Sequence, residues 1–60
     1  MNKPKLKIDK YAKKYCLNGK LHREDGPALE YAHGYKEWWY NGIKYDVNSV
    51  EELMIAVLLK

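Results

Sequence analysis

Apolar and polar positions alternate with a period of two along most of this chain, and the alternation is broken at short, regular intervals by turn residues. Residues 3–8 read KPKLKI, with lysine alternating against Pro4, Leu6 and Ile8, the pattern of a strand with one wet face. Pro4 places that segment at a strand start or a sheet edge, where lysines discourage unwanted pairing. After a turn at Asp9-Lys10, residues 11–17 (YAKKYCL) put Tyr11, Lys13, Tyr15 and Leu17 on one face and Ala12, Lys14 and Cys16 on the other. The pattern predicts a second strand, with a helix over residues 10–15 as the competing reading. Short strands follow at 20–22, 28–31 and 43–45. Residues 35–40 form the longest aromatic strand, with Tyr35, Glu37 and Trp39 facing one way and Lys36, Trp38 and Tyr40 the other.

The interruptions have a mechanism. Asn18-Gly19 and Asn41-Gly42 are two-residue hairpin signals, because a type I′ turn needs positive φ at both central positions. Asp25-Gly26-Pro27 predicts a third turn: Asp bonds its own following backbone, Gly accepts positive φ, and Pro sets φ for the next strand. Ala32-His33-Gly34 makes a fourth. Beyond residue 46 the period changes to that of a helix. Ser49 at N-cap and Glu52 at N3 form a capping box, and Val47 and Leu53 are spaced for a hydrophobic staple. Glu51, Glu52 and Lys60 suit the helix dipole. Val50, Leu53, Met54, Val57 and Leu58 form one apolar stripe at helical spacing, with Ile55 and Leu59 on the opposite side.

Laying Asn18-Gly19 on Asn41-Gly42, a shift of 23 residues, brings Tyr15–Leu17 onto Trp38–Tyr40, and periods of this length are typical of repeat arrays. The segments GKLHREDGPALEY and HGYKEWWYNGIKY resemble the HREDGPA-type repeat of small phage and bacterial proteins, similar in build to MORN-type β-hairpin repeats. The resemblance covers residues 17–45, and the LHREDGPA octet is its most specific part. After Ile43 the chain departs from the repeat, reading Tyr45-Asp46-Val47 where the unit would continue HREDGPA. The array is therefore expected to stop there and be capped by the helix. The resemblance implies a hairpin-repeat fold, and a phage-type accessory protein.

Composition sharpens this. A chain of 60 residues is one domain and buries only about 60% of its unfolded surface, so it is marginal without a staple or a partner. Cys16 is the only cysteine, which excludes an intramolecular disulfide and suits a reducing cytoplasm. The longest apolar run, residues 53–59, spans seven positions, against the ~20 needed to cross a bilayer. No secretory leader is expected, because the lysine-rich start lacks an apolar segment. Six Tyr and two Trp with no Phe suit a thin sheet or a contact surface better than a deep core. The net charge of +3 is uneven: residues 1–14 hold six lysines against one aspartate, while residues 15–60 are acidic overall.

Several sets of residues invite a chemical reading. His22, Arg23, Glu24 and Asp25 have the types of an acid–base set. A hairpin array offers little pocket, however, and the structural reading makes Asp25 a turn residue, Arg23 a tether to a neighbouring strand or carbonyl, and His22 an inward position equivalent to Tyr45. His22, His33 and Glu30 lack the spacing of a metal site. Cys16 as a nucleophile would need a neighbouring base; a small apolar residue is the alternative. Lys3, Lys5, Lys7, Lys10, Lys13 and Lys14, with Tyr11 and Tyr15, could contact phosphates and stack on bases, or form a solvated edge. Of the adjacent Trp38 and Trp39, one should fill the core and the other lie on the outer face.

These observations define an α+β fold: a small antiparallel meander of about five or six short strands, with residues 1–17 as basic strands, 18–46 as the hairpin repeat and 47–60 as the capping helix. The expected core is Trp38 or Trp39, Tyr15, Leu29, Tyr31, Leu53, Met54 and Val57. The function expected is a non-enzymatic protein-binding module that inhibits a host protein, a defence or toxin component, in the host cytoplasm. Its interface is expected at Trp38, Trp39, Tyr40, Ile55 and Leu59, with self-association through the last two. The alternative is nucleic-acid binding by the lysine arm. No cofactor is implied.

Overall fold

The computed structural model describes residues 3–59. It contains six strands and one helix: β1 (Lys5–Ile8), β2 (Ala12–Leu17), β3 (Lys20–Leu21), β4 (Leu29–Tyr31), β5 (Lys36–Tyr40), β6 (Ile43–Tyr45) and α1 (Val50–Leu58). All pairings are antiparallel, in the order β1-β2-β4-β5-β6, with β3 beside β2. The α+β meander is thus observed, and residues 12–17 form a strand rather than a helix.

Both Asn-Gly pairs adopt the double left-handed conformation of a type I′ turn, with φ of 53° and 77° at Asn18 and Gly19 and 50° and 79° at Asn41 and Gly42. Each closes a two-residue hairpin, pairing Leu17 with Lys20 and Tyr40 with Ile43. The 23-residue shift seen in the sequence is therefore a repeat in backbone geometry as well.

The HREDGPA segment does something else. β3 and β4 both run antiparallel to β2, opposite its two ends: Cys16 pairs with Leu21, and Lys14 with Leu29. On their far side, Leu21 accepts from the Gly42 N–H, Arg23 donates to the Trp39 carbonyl, and Leu29 pairs with Glu37. β3 and β4 thus occupy one strand position between β2 and β5, interrupted by residues 23–27. Tyr15 spans the break: its carbonyl takes the His22 N–H at 2.9 Å and its own N–H reaches the Ala28 carbonyl at 2.8 Å. The chain is pinched between His22 and Ala28, and the residues between them are extruded.

Arg23 fills that excursion. Its guanidinium lies 4.0 Å over the Tyr15 ring, donates to Asp25 at 2.8 Å and the Pro27 carbonyl at 3.2 Å, and meets Glu30 at 3.3 Å. The tether expected of Arg23 is present. The expected role of Gly26 is not: its φ is not positive. Gly26 is needed for space, because a Cβ there would stand 2.8 Å from the Arg23 Cζ.

The core is small. Among the described residues its buried apolar side chains are Ala12, Ala28, Leu29 and Leu53, and His22 is buried as well. Leu29 and Leu53 were expected there; Tyr15, Tyr31, Met54 and Val57 are only half-buried. Trp38 and Trp39 also depart from expectation, since both are half-buried and neither lies fully in core or solvent. A body only 15 Å in its thinnest extent cannot enclose a side chain as large as an indole from all sides.

The helix starts as its sequence requires. Ser49 is N-cap, and its Oγ accepts from the Glu52 N–H at 3.1 Å. The Glu52 carboxylate, instead of closing on the Ser49 N–H, reaches one residue further back to the Asn48 N–H at 3.0 Å. Leu53 is fully enclosed, but Leu58, expected beside it in the stripe, is 82% exposed. At 100° per residue Leu58 lies about 140° from Leu53, so the face centred on Leu53 excludes it. Lys60 lies outside the described residues.

Candidate interaction surfaces

The register assigns every strand residue to a face. Leu6, Ile8, Lys13, Tyr15, Glu30, Trp38, Tyr40 and Tyr45 share one; Lys5, Lys7, Lys14, Cys16, Leu29, Tyr31 and Trp39 share the other. Trp38 and Trp39 therefore do face opposite ways. On Trp39's side the indole Nε1–H donates to Glu37 at 3.0 Å, and Glu37 pairs with Lys44 at 3.4 Å. That indole bond, aided by Lys44, holds the Glu37 carboxyl below its usual range, and Glu37 in turn raises Lys44. On the other face Tyr40 packs its ring 4.6 Å from His22.

The acid–base set is dispersed by these bonds. The His22 Nδ1 accepts the Asn41 N–H at 2.9 Å, which places the ring hydrogen on Nε2. Asp25 is paired with Arg23, whose guanidinium lowers its pKa, and no hydrogen bond joins His22 to Asp25 among the described residues. His33 stacks on Tyr31 at 5.5 Å. Among the described residues, no group of three or more His, Cys, Asp and Glu could hold a metal ion. An open groove of about 780 Å³ lies beside β5 and β6, lined by Tyr35, Glu37, Trp38, Lys44 and Tyr45.

The lysine arm is divided. Lys5, Lys7 and Lys14 share one face of the β1–β2 hairpin, with Lys7 directly opposite Lys14. Lys3 borders the same shallow depression as Lys5, Lys7 and Cys16. Lys13 points to the other face, and Lys10 lies in the turn, 5.1 Å from the Tyr11 ring. None of the six forms an ion pair among the described residues. Like charges facing across a ladder are unfavourable, so this stripe is a local excess of positive potential. The turn that makes it is set by Asp9, whose carboxylate accepts the Tyr11 and Ala12 N–H groups at 2.7 and 2.9 Å and is lowered in pKa by those bonds.

Exposed aliphatic side chains cluster on α1 and on β1, apart from Ile43 on β6. On α1 and its C-cap, Ile55 is 56% and Leu59 81% exposed, as expected, and Leu58 joins them. On β1, Leu6 is 47% and Ile8 65% exposed. The alternation of residues 3–8 marks that apolar side in the sequence; its exposure follows from the place of β1 at the sheet edge. Among the described residues no helix is long and apolar enough to cross a membrane.

No family model matches the chain, and neither a curated protein nor a solved structure is significantly similar to it.

Proposed function

We propose that this chain is a small non-enzymatic protein-binding module. The observation that carries this reading is a mismatch of apolar surface. Among the described residues four apolar side chains are buried, two of them alanine, while Ile55 and Leu58 on the nine-residue helix and Leu59 at its C-cap stand in solvent. Covering such surface contributes about 25 cal/mol per Å², and a core this small leaves folding more to gain from a partner than usual. The resemblance of residues 17–45 to phage-borne repeats supports a narrower form: an accessory protein that binds and inhibits a host protein, a defence or toxin component, in the host cytoplasm. The test is capture from bacterial host lysate with the wild-type chain and with an Ile55→Glu/Leu59→Glu variant. A discrete protein held by the first and lost by the second is expected. No capture, or equal capture by both, refutes the reading.

A second reading, nucleic-acid binding, is favoured by the unpaired stripe of Lys3, Lys5, Lys7 and Lys14. Four phosphate contacts on a single strand imply a log–log salt slope near about −3, measurable by fluorescence anisotropy with a labelled oligonucleotide. A flat salt profile removes it.

A further inference from the structure

The backbone bonds around β2 determine which groups of β1 face outward. Tyr15 sends its N–H and carbonyl toward Ala28 and His22, and the Tyr11 carbonyl receives the Ala32 N–H. The odd-numbered residues of β2 therefore bond away from β1, and the even-numbered ones toward it, as the Asp9 N–H on the Ala12 carbonyl confirms at 3.0 Å. Lys5 and Lys7, opposite Cys16 and Lys14, spend their backbone groups on β2. Leu6 and Ile8, opposite Tyr15 and Lys13, point theirs at the free edge. Pro4 falls on the same outward parity, where its missing N–H removes no bond from the ladder and closes the window on that side. Among the described residues nothing bonds to this edge.

The side chains select what can pair there. A second copy of β1 would set lysine rows against each other on one face, which is unfavourable. An extended segment alternating acidic with apolar residues meets both faces correctly: its acids opposite Lys5 and Lys7, its apolar side chains against Leu6 and Ile8. We infer that the outer edge of β1 is a strand-addition site for an acidic, alternating protein segment. This rests on the protein-binding reading and names the chemistry of its partner.

The test uses a blocked heptapeptide alternating glutamate and valine, titrated into the full chain and followed by amide NMR. Shift changes and slowed exchange at the Leu6 and Ile8 amides are expected. Leu6→Pro deletes an outward N–H at no cost to the native ladder and should weaken binding about tenfold, the loss of one hydrogen bond. Lys5→Glu/Lys7→Glu should switch preference to the matching lysine–valine peptide. No binding at millimolar peptide, shifts centred on α1, indifference to Leu6→Pro, or an oligonucleotide binding where the peptide does not would each overturn the inference. A lysate partner held by Leu6→Pro but lost by Ile55→Glu/Leu59→Glu would overturn it too, while leaving the binding-module reading intact.

Discussion

Replacing Gly26 with alanine tests the account of the extruded segment most directly. Its φ is not positive, so on backbone grounds alanine should stabilise by about 0.4–1 kcal/mol through the unfolded chain. Space argues the other way. The new Cβ would stand 2.8 Å from the Arg23 Cζ, 3.0 Å from Nη1 and 3.1 Å from Nε. A long side chain normally swings aside at little cost, but this one is held by the Tyr15 ring, the Pro27 carbonyl and Glu30. Displacing the guanidinium forfeits a charge-assisted bond to a part-buried carbonyl, about 1 kcal/mol, a cation–π contact of about 0.5–1 kcal/mol and a partly screened ion pair of about 0.5 kcal/mol. The exposed bond to Asp25 is left out of the sum. The loss of about 2 kcal/mol outweighs the backbone gain, leaving a net destabilisation of about 1–2 kcal/mol. At this chain length, that lowers Tm by about 5–15 °C. Thermal and urea denaturation of Gly26→Ala, Arg23→Leu and the double variant would give the coupling. With the guanidinium gone, Gly26→Ala should become neutral or stabilising. If it is harmless in the wild type, or equally harmful beside Arg23→Leu, Arg23 does not hold the excursion as described.

Three further outcomes are expected. His22→Ala leaves the Asn41 N–H without its acceptor and should cost about 1–3 kcal/mol; urea midpoints unchanged within error would refute that role. Asp9 and Glu37 have depressed pKa values in the fold. Their contribution is therefore complete above the ordinary carboxylate range, near about 4, and is lost as pH falls through the lowered folded values. Stability measured from pH 7 to 2 should decline over that acid limb, and Asp9→Asn should flatten it. Ile55 and Leu59 should drive self-association, seen by light scattering at high concentration and abolished by Ile55→Glu/Leu59→Glu; a monomer throughout would count against it.

What could be read in advance followed the range of the interaction. The Asn-Gly turns and the Ser49 cap are local, two to four residues wide, and their chemistry is written in adjacent letters. The role of Gly26 was misread because its constraint comes from Arg23, folded back over it by contacts to Tyr15 and Glu30 that no local window contains. Leu58 was misplaced because periodicity gives relative angles around a helix, not where the buried face is centred. Alternation in residues 3–8 announced a strand, but only the pairing with β2 put Lys14 beside Lys5 and Lys7, and turned the Leu6 and Ile8 amides outward.

The divided strand also has a consequence for the order in which the chain assembles. β2 is bordered by β1, β3 and β4. Two of these neighbours are its immediate hairpin partners, which close in about 1–10 μs. The third is reached across residues 23–27, so loop closure predicts that the backbone of Tyr15 is completed in two instalments, His22 first and Ala28 later. On this reasoning the segment that looks most like an active site is a latch over β2, and amide exchange during refolding should show the Tyr15 N–H, which bonds Ala28, protected later than the His22 N–H, which bonds Tyr15.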